Sequence, residues 1–144
     1  MAIRQALLGL QSPRGKSITT DAQRDPITGQ IIGAAIAVHR HLGPGLLESA
    51  YRECLCCELH LRGLTAAKER LVPVIYKGIR VDVGYRADLI VNERVLIELK
   101  SIERLAPVHA TQVITYLRFA GLRVGLLINF NVPLLRDGIV RLVL

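Results

Sequence analysis

The sequence predicts a single α/β domain, a mixed sheet with helices packed on it. Three observations lead there. Apolar residues first recur at the helical period between positions 27 and 42. Short β-rich stretches then follow one another from 71 to 100. Last comes a helical stretch opened by Pro107 and a continuous apolar run over 124–130. At 144 residues the chain has the length of one domain, and with 51% apolar against 22% charged residues it has the composition of a folded chain with a core.

Taken in order, residues 1–24 show little periodicity and include Pro13, Arg14, Gly15 and Lys16, which reads as a flexible basic tail ahead of a domain at 25–144. Asp25 suits the N-cap of a helix and Pro26 its first position. Ile27, Ile31, Ala34, Ala35, Val38 and Leu42 continue it until Gly43, Pro44 and Gly45 break the pattern. A second helix is expected from about 46 to 62, stopped by Gly63, with Leu47, Ala50, Tyr51, Cys54 and Leu61 inward. Strands at 71–76 and 79–83 flank Lys77 and Gly78, a hairpin turn, and Pro73 puts the first of them at a sheet edge. Strands at 86–91 and 95–100 pair around Asn92, Glu93 and Arg94. The helix at 107–121, the strand at 124–130 and a short strand at 138–144 complete the domain.

Composition narrows the function. No apolar run reaches the length that crosses a bilayer, so no membrane partner is expected. The apolar patch within residues 1–10 is followed by no small-residue cleavage site, which predicts a cytoplasmic protein. Cys54, Cys56 and Cys57 are odd in number and crowded on one helix, a poor disulfide framework; they read as small buried or half-buried thiols, since a zinc site would need ligands beyond the nearby His60. A net charge of +7 favours a polyanionic partner, because neutralising phosphates releases their counterions.

The chemistry concentrates between Asp88 and Lys100. Side chains alternate along a strand, so Glu98 and Lys100 share one face and Leu99 takes the other. If the strands at 86–91 and 95–100 form a hairpin, Asp88 lands across the ladder from Glu98. Two facing carboxylates repel unless a cation, a shared proton or a lysine stabilises them. Mg²⁺ or Mn²⁺ suits such hard oxygen donors, with the Leu99 carbonyl as a further ligand. Lys100 is placed to orient the attacking water and to offset charge on a phosphate. The bland reading of Glu98 and Lys100 is an ordinary pair on a solvated strand face. On the third helix Gln112 and Tyr116 share a face flanked by His109 and Thr115, and both offer neutral polar groups that can position a water or a phosphate. Glu48 near the start of the second helix complements the helix dipole or pairs with Arg52, yet it also lies on the border of the apolar face, where it can point into a metal pocket.

Gly45, Glu48 and Tyr51 match the motif of the GxxExxY proteins, a bacterial branch of the PD-(D/E)XK nucleases. With Tyr76-Lys77-Gly78, Tyr85 to Leu89, Ile97 to Lys100, Gln112 to Leu117 and Gly125 to Asn131, the chain resembles that family from about residue 27 to its end. The resemblance implies a restriction-endonuclease-like αβββαβ core, a mixed central sheet flanked by helices, and metal-dependent hydrolysis of nucleic-acid phosphodiesters, with DNA favoured. It implies Asp88 and Glu98 as metal ligands, joined by Glu48, and Lys100 as the catalytic lysine. Gln112 and Tyr116 match the Gln-x-x-x-Tyr element of RecB-like members. The proline that precedes the first acid in the superfamily signature is here Ala87. Two other readings compete: a nucleic-acid-binding module that does not cut, using cations such as Lys68, Arg70, Arg86 and Arg94, and an assembly component or homodimer joined through edge strands near Val72 or Val140.

Overall fold

A computed structural model describes residues 26–144; the expected basic tail and the Asp25 cap lie outside them. Helix α1 (Pro26–Leu42) starts at the proline, buries Ile31, Ala34, Ala35 and Val38, and carries His39, Arg40 and His41 in its last turn, where positive charge suits the dipole. Helix α2 (Glu48–Leu61) starts later than the apolar pattern suggested. Leu47 is extended at the N-cap and 76% exposed, and Leu61 and Cys54 are exposed too. The buried stripe is instead Tyr51, Leu55 and Leu59, each one turn after the last, with Cys56 beside them. Of the expected inner face Tyr51 is buried and Ala50 half-buried while Leu47, Cys54 and Leu61 are exposed, and of the three thiols, all free, only Cys56 is buried.

The sheet has five strands in the order β1 (Ala66–Tyr76), β2 (Ile79–Val91), β3 (Val95–Lys100), β4 (Val124–Asn129) and β5 (Ile139–Val143). Only β3 and β4 run parallel, joined by the crossover helix α3 (Pro107–Ala120); the other neighbours are antiparallel. This is the mixed α/β architecture that the sequence predicts, with β1 at an edge as Pro73 requires. Two strands are longer than expected. The first begins at Ala66, ahead of its exposed Lys68, Glu69 and Arg70, and the expected strands at 79–83 and 86–91 are one continuous β2. Gly84 lies within it, where the register with β1 shifts between Val72 and Val74. A Cβ there would sit 2.1 Å from the Val72 carbonyl oxygen, so the bulge admits glycine alone.

Apolar side chains fill both faces. Leu89, Ile97, Leu99, Ile128 and Phe130 pack with α1 and α2, whereas Ile90, Leu96 and Leu127 pack with Val113, Ile114 and Leu117 of α3. Since β3 alternates, Glu98 and Lys100 belong with Leu96 on the α3 face. Among the described residues no helix is long and apolar enough to cross a membrane.

Candidate active site

The site lies where two strands part company. β2 pairs with β3 only from Leu89↔Ile97 to Val91↔Val95, and beyond that point it stays with β1 alone. The tight turn at Asn92 and Glu93, both at positive φ, sets this register. At the end of β3 the Phe130 N–H donates to the Lys100 carbonyl at 2.9 Å, so Lys100 turns its backbone to β4 and Leu99 turns its own towards β2. No β2 residue pairs with Leu99 there. Its N–H donates instead to Asp88 Oδ2 at 2.9 Å, and the Asp88 N–H donates to Glu98 Oε1 at 3.2 Å. Side-chain carboxylates thus take over hydrogen bonds that a longer ladder would make, and the Leu99 carbonyl lies outside the paired register.

This arrangement puts two acids together in a poorly hydrated place. Glu98 is buried, 8% exposed. Burial first and the Asp88 carboxylate second push its carboxyl up to about 8, with Glu48 adding to the rise and the Asp88 N–H and Lys100 opposing it. Lys100 is close enough to act on Glu98 in this way but forms no ion pair with it among the described residues. From α3, the Tyr116 ring packs against Tyr85 of β2, centroids 4.4 Å apart and tilted by 39°. Its hydroxyl is pushed up to about 12 by burial, then by Glu98, Tyr85 and Asp88. It is therefore a hydrogen-bond donor at any physiological pH. Gln112 lies one turn before it, half-buried. His109 does other work: its Nδ1 accepts the Ala106 N–H at 2.9 Å and so caps the start of α3.

Helix α2 reaches the same place from the opposite face, and a clasp sets its position. The Tyr51 hydroxyl donates to the Gly43 carbonyl at 2.5 Å and accepts the Leu46 N–H at 3.1 Å, while its ring stacks on Phe130 at 4.4 Å. Gly45, at φ +98, supplies the backbone geometry between them that side-chain-bearing residues avoid. Ser101, just after β3, donates its hydroxyl to the Leu46 carbonyl. Asn129 in turn holds the following segment, its side chain bonding both the N–H and the carbonyl of Ile102. Glycine, tyrosine and the intervening Glu48 thus form one device, which delivers the first residue of α2 to the end of β3.

The structure brings Asp88, Glu98 and the Leu99 backbone into direct contact, with Lys100, Tyr116 and Glu48 near enough to share their electrostatics. It does not close a cage: among the described residues no three of His, Cys, Asp and Glu are gathered tightly enough to hold a metal ion. The donors present are nevertheless of the right chemistry for a hard divalent cation that keeps much of its water, namely two adjacent carboxylates and the Leu99 carbonyl beyond the last β2–β3 pair. The residue that sequence reasoning missed is Arg52. In place of a pair with Glu48, its Nη1 lies 3.3 Å from Asp88 Oδ1, its Nη2 3.5 Å from Glu69 and its Nε 4.0 Å from Glu53. Its spacing one turn after Glu48 was the available signal, because the two share a helical face.

A family model described as the PD-(D/E)XK nuclease superfamily matches residues 25–142. No curated protein and no solved structure matches the chain.

Proposed function

The chain belongs to the PD-(D/E)XK nuclease superfamily, and on that premise we propose that it is a divalent-metal-dependent nuclease that hydrolyses phosphodiester bonds of DNA. The observation that carries this reading is the Asp88–Glu98 pair at the splayed end of β3, beside the Leu99 carbonyl, which lies beyond the last β2–β3 pair. In this reading Asp88, Glu98 and the Leu99 carbonyl hold Mg²⁺ or Mn²⁺, with Glu48 completing the negative side of the site. Such an ion, when bound, supplies positive charge to the scissile phosphate.

The chain's own groups do the rest. The Lys100 ammonium, on the Glu98 face of β3, orients the attacking water and offsets charge that develops on the phosphate as the leaving oxygen departs in line. Tyr116, kept protonated by its surroundings, donates to a phosphate oxygen, and the Gln112 amide positions the phosphate or the water from one turn away. The net charge of +7 supports the approach of a polyanion. Gly45, Glu48 and Tyr51 support assignment to the GxxExxY branch, and the free thiols support a reducing, cytoplasmic setting. The exposed edges of β1 and β5 would serve a homodimer.

The test is a titration of Mg²⁺ and Mn²⁺ into wild type, Glu98→Ala and Lys100→Ala with plasmid and single-stranded DNA. Metal-dependent cutting is expected in wild type alone. Cutting by both variants at the wild-type rate would sink the assignment. A second reading, a nucleic-acid-binding module that does not cut, is favoured by one observation, the arginine that sits on Asp88. Salt-sensitive DNA binding by wild type with no hydrolysis at any metal concentration would establish it.

A further inference from the structure

Asp88 has a single cation within ion-pair distance among the described residues, the guanidinium of Arg52. That guanidinium has a second partner in reach. Glu69 falls between the pairs Lys68↔Leu89 and Arg70↔Ala87, and so stands across the β1–β2 ladder from Asp88; its carboxylate is 3.5 Å from Arg52 Nη2. Glu69 itself breaks the ladder, at φ +50. Arg52 therefore spans Asp88 in the site and Glu69 beside it, with the Glu53 carboxylate 4.0 Å from its Nε. Its side chain is only 17% exposed, and its Nε is buried with no hydrogen-bond partner, so the present arrangement leaves part of its bonding capacity unused.

We propose that Arg52 is a positioning residue that takes the cation's place at Asp88 in the metal-free chain and withdraws to Glu69 when a divalent cation is held there. The proposal rests on the reading of Asp88 and Glu98 as a cation-binding pair. A counter-charge on Asp88 steadies the adjacent pair beyond what the proton on Glu98 does, and a planar guanidinium that forks between carboxylates supplies it. A divalent ion and a guanidinium within a few ångströms of one another repel, so both cannot stay on Asp88. Because Glu69 already lies at the other side of the fork, withdrawal asks for a side-chain movement and no rearrangement of α2. The site is thereby held in shape before metal arrives, and its metal affinity is set by competition with a residue of the same chain.

The experiment is calorimetric titration of Mn²⁺ alone, with no nucleic acid, into wild type, Arg52→Gln, Arg52→Lys, Glu69→Gln and the double variant Arg52→Gln/Glu69→Gln, together with thermal melts of each without metal. Removing the competing charge is expected to tighten Mn²⁺ binding on the order of tenfold in Arg52→Gln while lowering its metal-free melting temperature. Arg52→Lys keeps the charge and should bind close to wild type. Glu69→Gln should weaken binding in the wild-type background, because the guanidinium has lost its retreat, and should change nothing once Arg52 is gone. Binding by Arg52→Gln that is equal to or weaker than wild type overturns the proposal and leaves the cation site standing. A Glu69→Gln effect that persists without Arg52 also overturns it, since Glu69 would then act on the metal directly. If Arg52→Gln does not fold, Glu69→Gln decides alone: weaker binding supports the proposal and unchanged binding overturns it. No Mn²⁺ binding by any variant overturns both the proposal and the cation reading of the site.

Discussion

β2 lives in two environments. Over residues 89–91 it lies between β1 and β3, and its side chains are buried on both faces of the sheet. Over residues 79–88 it has only β1 for a neighbour, and Ile79, Val83 and Tyr85 are 63%, 87% and 44% exposed. A third strand completes hydrogen bonds and seals side chains at the same time. Where β3 ends and β2 turns away, both services stop, and the polar groups released there are the ones that make the site: the Leu99 backbone, the Asp88 carboxylate and Glu98 behind it. The candidate active site is thus the boundary between a fully paired half of the sheet and a two-stranded arm.

If the two halves differ in this way, truncations to alanine should have very different costs. Ile97→Ala, in the paired half and fully buried, should destabilise by about 2–5 kcal/mol in urea denaturation, whereas Val83→Ala on the arm should stay within about 0.5 kcal/mol. Comparable losses at the two positions would mean that the arm is packed against something and that the contrast is false.

The boundary should announce itself through pH. Glu98 is held up to about 8 against an ordinary 4.5, so between these values the folded chain keeps a proton that the unfolded chain has lost. Stability of the metal-free protein should therefore fall as pH rises from about 4.5 towards about 8 and level off above, a loss of several degrees in Tm. Glu98→Gln, which has no proton to lose, should flatten that slope in melts taken across the window. A slope unchanged in the variant would assign it to another group.

A smaller effect sharpens the comparison within the arm itself. Gly84→Ala forces a methyl against the Val72 carbonyl and should cost about 1–3 kcal/mol. The loss should appear in hydrogen exchange as faster opening of the β1–β2 arm, with little change in β3 and β4. Uniform acceleration across the sheet would show that the arm and the paired half open as one unit.

Much of this was legible in the sequence, for local reasons. Pro107 and Gly121 bracket α3 because each fixes a backbone geometry of its own, and Gly121 indeed caps it at φ +70. The largely apolar run at 124–130 reads as a strand covered on both faces, and β4 occupies Val124–Asn129 of it. The turn at Asn92 and Glu93 set Asp88 against Glu98 by counting alone. What escaped was non-local. The polar run at Lys68, Glu69 and Arg70 falls outside the expected strand at 71–76 because nothing nearby says that β2 will pair with it. Arg52 and Glu69 are far apart in sequence and meet only across α2 and β1. Tyr51 was legible on the inner face of α2 but its leucines were not: Leu47 and Leu61 are as apolar as Leu55 and Leu59, and tertiary contact alone selects which leucines face inward.

The Tyr51 clasp carries an implication for how such a chain can change. By pinning the Gly43 carbonyl and the Leu46 N–H, it fixes the number of residues between the end of α1 and Glu48 as well as their shape. One residue inserted or removed there would rotate α2 by about 100° about its axis, swinging Glu48 and Arg52 off the sheet end together while Tyr51 lost its place on Phe130. The segment should accept substitutions at Pro44 or Leu47, both exposed, far more readily than any change in its length. Spacing, more than residue identity, is what descent with modification has to preserve there.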